Sequence, residues 1–279
     1  MIETVRDVAL LRHVINSWRA VGHRIALVPT MGALHQGHLD LIAGARTHAT
    51  KVVASVFVNP AQFAPHEDLA RYPRNELRDA DLLAQAGCDL LYAPDNKVMY
   101  PEGFSTHVEV SGVSARWEGT FRPQFFSGVA TVVTKLLLQA RPNVAMFGEK
   151  DWQQLQVVTK LVADLDIETA IIGVTTRRED DGLAMSSRNA YLSPDQRRIA
   201  PALARALNRI CDAIVADQAD IAQFVEATKL SLIGEGFASI DYLAPCHAYS
   251  LEPWRRGDPV RVLGAAWLGQ TRLIDNCGP

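Results

Sequence analysis

Apolar residues in the first two thirds of the chain fall in short continuous runs, and a stretch of helical spacing follows most of them. Arg24 to Val28 reads as a buried strand, and Leu39, Leu41, Ile42 and Ala45 mark the apolar face of a helix after it. Lys51 to Val58 is a β-branched run closed by Asn59-Pro60, and the helical spacing from Glu76 to Ala86 stops at Gly87. Asp89 to Ala93 gives another strand and Gly128 to Leu138 a helix; Val144 to Phe147 is a strand that runs into Gly148-Glu149-Lys150-Asp151. This alternation predicts an α/β fold, a Rossmann-like parallel sheet with helices on both faces. Such folds bind ligands beyond the carboxyl ends of their strands. Three polar clusters, His35/His38, Asn59/Gln62 and Lys150/Asp151, sit at that edge.

The pattern changes after Ile171 to Val174, at the charged turn Arg177-Arg178-Glu179-Asp180-Asp181-Gly182. A boundary there divides the chain into residues 1–176, with the parallel sheet, and residues 177–279, a smaller α+β lid domain. Within the second part, Pro194 to Asp212 and Ile221 to Ile233 have amphipathic helical spacing. Ser239 to Leu243 and Val260 to Leu268 read as strands.

Composition narrows the function classes. The 279 residues are 48% hydrophobic and 21% charged, with a formal charge of −3, so no electrostatic footprint favours nucleic acid or an anionic membrane. No run of 18 apolar residues appears, and the first residues lack the order of a secretory signal, which gives the expectation of a cytoplasmic protein with small-molecule substrates. Cys88, Cys211, Cys246 and Cys277 are scattered without metal-ligand spacing, and reduced structural thiols are expected.

The stretch from Val28 to His38 carries the most chemistry. A strand passes through Gly32 and Gly37 into a helix whose first turn offers main-chain N–H groups and a partial positive charge, a setting for nucleotide phosphates. His35 and His38, three residues apart, share one face and can each donate to a phosphate oxygen as charge gathers in the transition state. A bare His-x-x-His is more often two surface histidines; position after a strand and between glycines favours the functional reading. Lys150/Asp151 read alone is as readily an exposed ion pair as a site, and Ser186-Ser187-Arg188 read alone is more often helix-capping or loop chemistry than a phosphate clamp.

Read together, six blocks resemble the pantothenate synthetase family: Pro29-Thr30-Met31-Gly32-Ala33-Leu34-His35-x-Gly-His38, Phe57 to Phe63, Tyr72-Pro73-Arg74, Phe147 to Leu155, Asp181 to Asn189, and Arg272 to Asn276. They occur in order over nearly the whole chain. The resemblance implies a nucleotidylyltransferase-type enzyme that condenses (R)-pantoate with β-alanine. Pantoate would attack the α-phosphorus of ATP to give pantoyl adenylate and pyrophosphate, and β-alanine would then displace AMP. It implies residues 1–176 as the nucleotide- and pantoate-binding domain, residues 177–279 closing over ATP, and a homodimer.

The same resemblance distributes the roles. His38, His35 and Lys150 are the catalytic candidates, with Lys150 supplying a cation. ATP falls to Met31, Gly32, His35, His38, Gly148, Glu149, Lys150, Asp151, Arg177, Met185, Ser186, Ser187 and Arg188. Gly148 and Asp151 hold the ribose, and Arg188 offers pyrophosphate a planar fork. Pantoate falls to Gln62, Gln154 and Asn59, and β-alanine to Gln62; neutral amides leave the attacking carboxylate its charge. Mg²⁺ accompanies ATP with no protein ligands assigned, and no tightly bound organic cofactor is implied. Glu179, Asp180 and Asp181 read as a solvated turn, Asp79 and Asp81 as a charged helix face. His13, His23, His48, His66, His107 and His247 read as surface or structural residues. Another adenylyltransferase with a phosphorylated acceptor would need a further cationic site, and a non-catalytic nucleotide sensor would not need the intact histidines, Lys150 and Ser-Ser-Arg. Three positions depart from the family pattern: Phe125 where a histidine is common, Arg177 where an apolar residue is usual, and Trp267 in place of an arginine.

Overall fold

The apolar runs of the first half pair side by side. In the computed structural model, which describes residues 2–65 and 67–278, the elements follow in the order β1 (Glu3–Val5), α1 (Val8–Ala20), β2 (Ile25–Thr30), α2 (Gln36–His48), β3 (Lys51–Val56), α3 (Glu76–Gln85), β4 (Leu90–Tyr92), α4 (Asn96–Met99), α5 (Glu118–Phe121), α6 (Phe125–Ala140), β5 (Val144–Gly148), α7 (Trp152–Asp164) and β6 (Ala170–Val174). After them come α8 (Pro194–Ile199), α9 (Ala202–Val215), α10 (Ile221–Gly234), β7 (Ser239–His247), β8 (Val260–Leu268) and β9 (Thr271–Cys277). His66, given a surface or structural role above, lies outside the described residues.

Six strands form one sheet in the order β1-β4-β3-β2-β5-β6, every neighbouring pair parallel. The chain builds outward from β2 on one side through β3 and β4, then on the other side through β5 and β6. The switch point therefore lies between β2 and β5, where Ala26 pairs with Val144. Residues Ile25 to Val28 are fully buried because helices cover both faces, and Leu41, Ile42 and Ala45 of α2 pack against Val52, Ala54 and Met146. The remaining strands form a separate antiparallel sheet, β7-β8-β9, with Leu203, Leu207 and Ile210 of α9 in its core beside Val262 and Leu273. The α/β class and the smaller α+β part stand as the sequence led one to expect.

By contact, the chain falls into two units. One comprises Met1–Ser111, Arg122–Glu149 and Val157–Thr175; the other comprises Gly112–Phe121, Lys150–Gln156 and Thr176–Pro279. Two short segments that precede residue 176 thus join the C-terminal unit, a division no single cut in the chain can express.

Three local features differ from the sequence reading. The helix expected over Pro194 to Asp212 is two, α8 and α9, because Pro201 has no N–H to donate and its ring crowds the carbonyl one turn back. β9 was not legible, since its buried residues include Asp275 and Asn276 beside Leu273. Cys211 and Cys277 are joined as a disulfide rather than held as thiols, while Cys88 and Cys246 are free and buried. Burial pushes the Cys88 thiol up to about 11 and Cys246 up to about 12, so both remain protonated at neutral pH. Among the described residues no helix is long and apolar enough to cross a membrane.

Candidate active site

β2 ends at Thr30, and the chain turns through two left-handed residues, Gly32 (φ 81°) and Ala33 (φ 52°), before α2 begins. Thr30 Oγ1 donates to the Ser55 carbonyl (2.8 Å) and accepts the Gly32 N–H (3.1 Å). The next two N–H groups, of Ala33 and Leu34, donate to Asp79 Oδ2 (2.8 Å) and Oδ1 (2.9 Å). Asp79 is only 1% exposed, so the reading of Asp79 and Asp81 as one charged face is corrected for Asp79: its carboxylate faces inward and meets the turn. Asp81 does lie on the exposed side of α3.

The two histidines are the cap of α2. His35 is the N-cap residue, its Nδ1 accepting the Gly37 N–H (3.2 Å), and His38 Nδ1 accepts the His35 N–H (3.3 Å). The rings lie 4.1 Å apart between centroids. This changes the chemistry expected of the helix start. Two of the N–H groups at the helix start, those of His35 and Gly37, are engaged by the rings themselves, and the imidazoles add donors of their own. A ring nitrogen that accepts a hydrogen bond carries no proton, so in the neutral form both histidines hold theirs on Nε2.

Behind this turn, in the same unit, Asn59 and Gln62 form the second cluster. Gln62 (8% exposed) donates from Nε2 to Met31 Sδ (3.0 Å) and accepts at Oε1 from Asn59 Nδ2 (3.0 Å). Asn59, 1% exposed, engages every polar atom of its side chain within the protein. Nδ2 also donates to the Gly128 carbonyl (3.1 Å), and Oδ1 accepts from Tyr100 Oη (2.7 Å) and the Ala61 N–H (3.2 Å). Through Asn59 Nδ2 the side chain also fixes the orientation of the Gln62 amide. Burial pushes the Tyr100 hydroxyl up to about 12, which keeps it a donor.

Arg122 braces the same loop, donating to the Gln62 carbonyl (3.1 Å) and to both oxygens of Glu67. Its guanidinium lies 3.9 Å from the centroid of the Phe125 ring. The aromatic ring at position 125 thus gives the arginine a stacking face.

The third cluster begins where β5 ends. At Gly148 a Cβ would meet nothing within 4 Å, which is open space at a strand end. Lys150 belongs to the other unit, its Nζ 3.6 Å from Asp151 Oδ1 and its side chain 18% exposed. The Lys150 carbonyl accepts from Asn276 Nδ2 (2.8 Å), and Asn276 Oδ1 accepts in turn from Arg261 Nε (2.7 Å). Arg261 lies over the Trp152 ring, and Trp152 Nε1 donates to the Ala248 carbonyl (2.6 Å). Gln153 is buried and accepts from the Glu118 N–H, while the neighbouring Gln154 is half-buried.

Farther along that unit, Arg177 and Met185 close a hairpin through Met185 N–H to Arg177 O (2.9 Å). Arg178 secures it from below with a bidentate pair to the buried Asp275 (2.7 and 3.0 Å). Arg177 itself is exposed and offers the hairpin main chain. Ser186 caps the short 3₁₀ turn that carries Ser187 and Arg188, accepting the Arg188 N–H (3.3 Å). Asp181 pairs with Arg197, which lowers its pKa through that hydrogen bond and makes a solvated turn the right description. Trp267 donates to Asp241 Oδ1 (3.1 Å), whose other oxygen accepts from Arg272.

One unit holds Met31, Gly32, His35, His38, Asn59, Gln62, Gly148 and Glu149; the other holds Lys150, Asp151, Gln154, Arg177, Met185, Ser186, Ser187 and Arg188. The supports Asp79, Arg122, Arg261, Asp275 and Asn276 had no assigned role in the sequence. Asp275 and Asn276 stand inside a block with a family resemblance, and that was their signal.

A family model described as pantoate-beta-alanine ligase matches residues 3–278. The chain is 56% identical over 278 residues to a pantothenate synthetase of Paramagnetospirillum magneticum, covering 99% of this chain and 98% of the relative. It is 53% identical to that of Caulobacter vibrioides, covering 98% and 96%. Among solved structures, the pantothenate synthetase of Thermus thermophilus superposes with a TM-score of 0.93 at 46% identity, over 99% of both chains. A pantoate-beta-alanine ligase from Francisella tularensis, complexed with beta-gamma ATP and beta-alanine, gives 0.84 at 32% identity, over 100% of this chain and 98% of that one.

Proposed function

The chain belongs to the pantoate-beta-alanine ligase family, and on that premise we propose how its own residues divide the joining of pantoate to β-alanine with ATP. The carrying observation is the double cap at the start of α2, which fixes two imidazoles with their Nε2–H groups as donors. Phosphoryl chemistry asks the protein for position and charge neutralisation, and two preset donors meet a triphosphate without reorganising in the transition state.

The first half-reaction is attack of the pantoate carboxylate on the α-phosphorus, with release of pyrophosphate and formation of pantoyl adenylate. His35, His38 and Lys150 stabilise the charge that develops on the phosphates. Gly148 and Asp151 take the ribose, Arg177 and Met185 offer main chain to the base, and Ser186, Ser187 and Arg188 hold the pyrophosphate. Gln62 and Gln154 hold pantoate, with Asn59 acting through Gln62. In the second half-reaction the β-alanine amine attacks the acyl carbon and AMP leaves; Gln62 serves the amine as well. Mg²⁺ would arrive with the triphosphate and neutralise part of the charge on its oxygens. The reading is of a cytoplasmic homodimer.

Incubation with ATP, Mg²⁺, pantoate and β-alanine, omitting one component at a time, tests this. AMP and pyrophosphate should form together only in the full mixture, and pantoate-dependent exchange between ATP and labelled pyrophosphate should survive omission of β-alanine. Exchange that needs β-alanine would remove the adenylate from the scheme.

Gln62→Ala and Gln154→Ala should each raise the pantoate requirement by roughly five- to a hundredfold, the value of a lost partner to a polar ligand group, with ATP binding nearly intact. Calorimetry showing weakened ATP binding and unchanged pantoate dependence would mean that the two pockets are assigned backwards. We also propose that residues 177–279 close over ATP through Arg188, excluding water from the acyl adenylate. Small-angle scattering should then contract on addition of a non-hydrolysable ATP analogue in the wild type and not in Arg188→Ala. No contraction in the saturated wild type rejects closure.

A further inference from the structure

Three successive main-chain N–H groups run through the turn between β2 and α2, and all three end on side chains. Gly32 donates to Thr30 Oγ1, and Ala33 and Leu34 to the two oxygens of Asp79. A carboxylate presents two acceptor oxygens side by side, whereas an amide of the same shape presents one oxygen and two N–H bonds that would confront a donor. The Asp79 carboxylate is buried, at 1% exposure, and such a group is costly to bury unless its oxygens are hydrogen-bonded. It stands in the first turn of α3, near the Asn75 cap, which accepts the Arg78 N–H (3.1 Å).

The turn it grips would not hold itself. Gly32 and Ala33 are both left-handed, and Ala33 has a Cβ that disfavours that conformation. A Cβ on Gly32 would lie 2.9 Å from Asp79 Oδ2, so the glycine makes room for the grip as well as for the turn. Leu34, 1% exposed, anchors the far side, and the following residue is His35, the cap of α2. Any relaxation of Ala33 or Leu34 is passed directly to the backbone that sets His35, and through its N–H to the His38 ring.

We infer that Asp79 is a positioning residue for the adenylation step: by holding the Ala33 and Leu34 N–H groups it sets the place and aim of the His35/His38 pair. This rests on the reading that the pair acts on the triphosphate. Asp79 touches no reacting atom, and its effect passes through the histidines.

The test is a double-substitution cycle read by pantoate-dependent ATP–pyrophosphate exchange, with His38→Ala, Asp79→Asn and the pair combined. Asp79→Asn should slow exchange by roughly a hundredfold, the order expected when reacting groups are misplaced by about an ångström. The double variant should be slower than His38→Ala alone by much less than a hundredfold, because of the two donors that Asp79 places only His35 remains to be lost. Attack of β-alanine on preformed pantoyl adenylate, measured on the same preparations, should stay near wild type in Asp79→Asn. Losses that multiply in the double variant, or an equal loss in both half-reactions, would give Asp79 a general structural role and overturn the inference. If His38→Ala leaves exchange at the wild-type rate, the histidine reading falls; if it slows exchange and Asp79→Asn does not, only the inference falls. Should Asp79→Asn not fold, amide hydrogen exchange in the wild type decides: protection at Ala33 and Leu34 comparable to β2 supports the grip, and exchange at the rate of an exposed loop overturns it.

Discussion

Replacing His38 by alanine should lower the rate of pantoate-dependent ATP–pyrophosphate exchange by roughly a hundredfold or more, since one preorganised donor to developing charge contributes about 2.7–4 kcal/mol. ATP affinity should change far less, because the donor matters most when charge is greatest. The structure adds a complication and a way around it. Both rings also cap α2, so alanine at either position removes part of a helix start worth about 1 kcal/mol. His35→Asn separates the two effects: asparagine is among the best N-caps and should restore the melting temperature, but its side chain is too short to place a donor where the imidazole Nε2–H stands. Stopped-flow or exchange kinetics beside thermal melts would read both. Wild-type exchange in the His35→Ala/His38→Ala double variant would end the claim that this turn is catalytic.

Gly128→Ala should be the most damaging single methyl group in the sheet-bearing unit. A Cβ at Gly128 would lie 2.3 Å from the Ala61 carbonyl oxygen and 2.7 Å from the Gln62 nitrogen, both main-chain atoms with no rotamer to change. Either α6 or the loop from Asn59 to Gln62 must then move, and with it the bond from Asn59 Nδ2 to the Gly128 carbonyl. Overpacking of this kind costs about 1–3 kcal/mol in stability, and loss of an oriented Gln62 should raise the pantoate requirement by roughly ten- to a hundredfold. Because the collision is with main chain, Ala61→Gly should not rescue it. Rescue by that double substitution, or pantoate kinetics equal to wild type in Gly128→Ala, would show that α6 yields freely and that the loop does not depend on it.

Legibility in the sequence followed the way each residue holds its place. β2 and α2 could be read because a continuous apolar run ends in glycines and a helical stripe begins, a pattern that burial on two faces imposes. β1, α1 and β9 went unread; β9 hides Asp275 and Asn276 among its buried positions, and polar residues paired in the interior carry no hydrophobic signal. The groups proposed to act on the substrates are visible through spacing at His35 and His38 and through family resemblance at the others. Their supports are not. Asp79 looks like any acid on a helix until the turn it grips is known, and Asn276 serves a carbonyl 126 residues away in the chain. Gly128 did offer a sign, since a glycine inside a helical run costs stability and points to a close neighbour.

With the role proposed for its histidines, the double cap on α2 ties activity to folding in a way that bears on how such a chain changes over generations. At an ordinary active site the reactive side chains can drift once their reaction is no longer needed. Here each loss also loosens the start of a helix whose inner face lies in the sheet core, and about 1 kcal/mol is a sizeable share of a folding margin of roughly 5–15 kcal/mol. Selection for a folded chain would therefore retain a capping side chain at position 35 after selection for catalysis had ceased, but asparagine, aspartate or serine would serve that need as well as histidine. In a distant descendant, a capping residue there testifies to the fold, and only the survival of both imidazoles would speak for the reaction proposed for them.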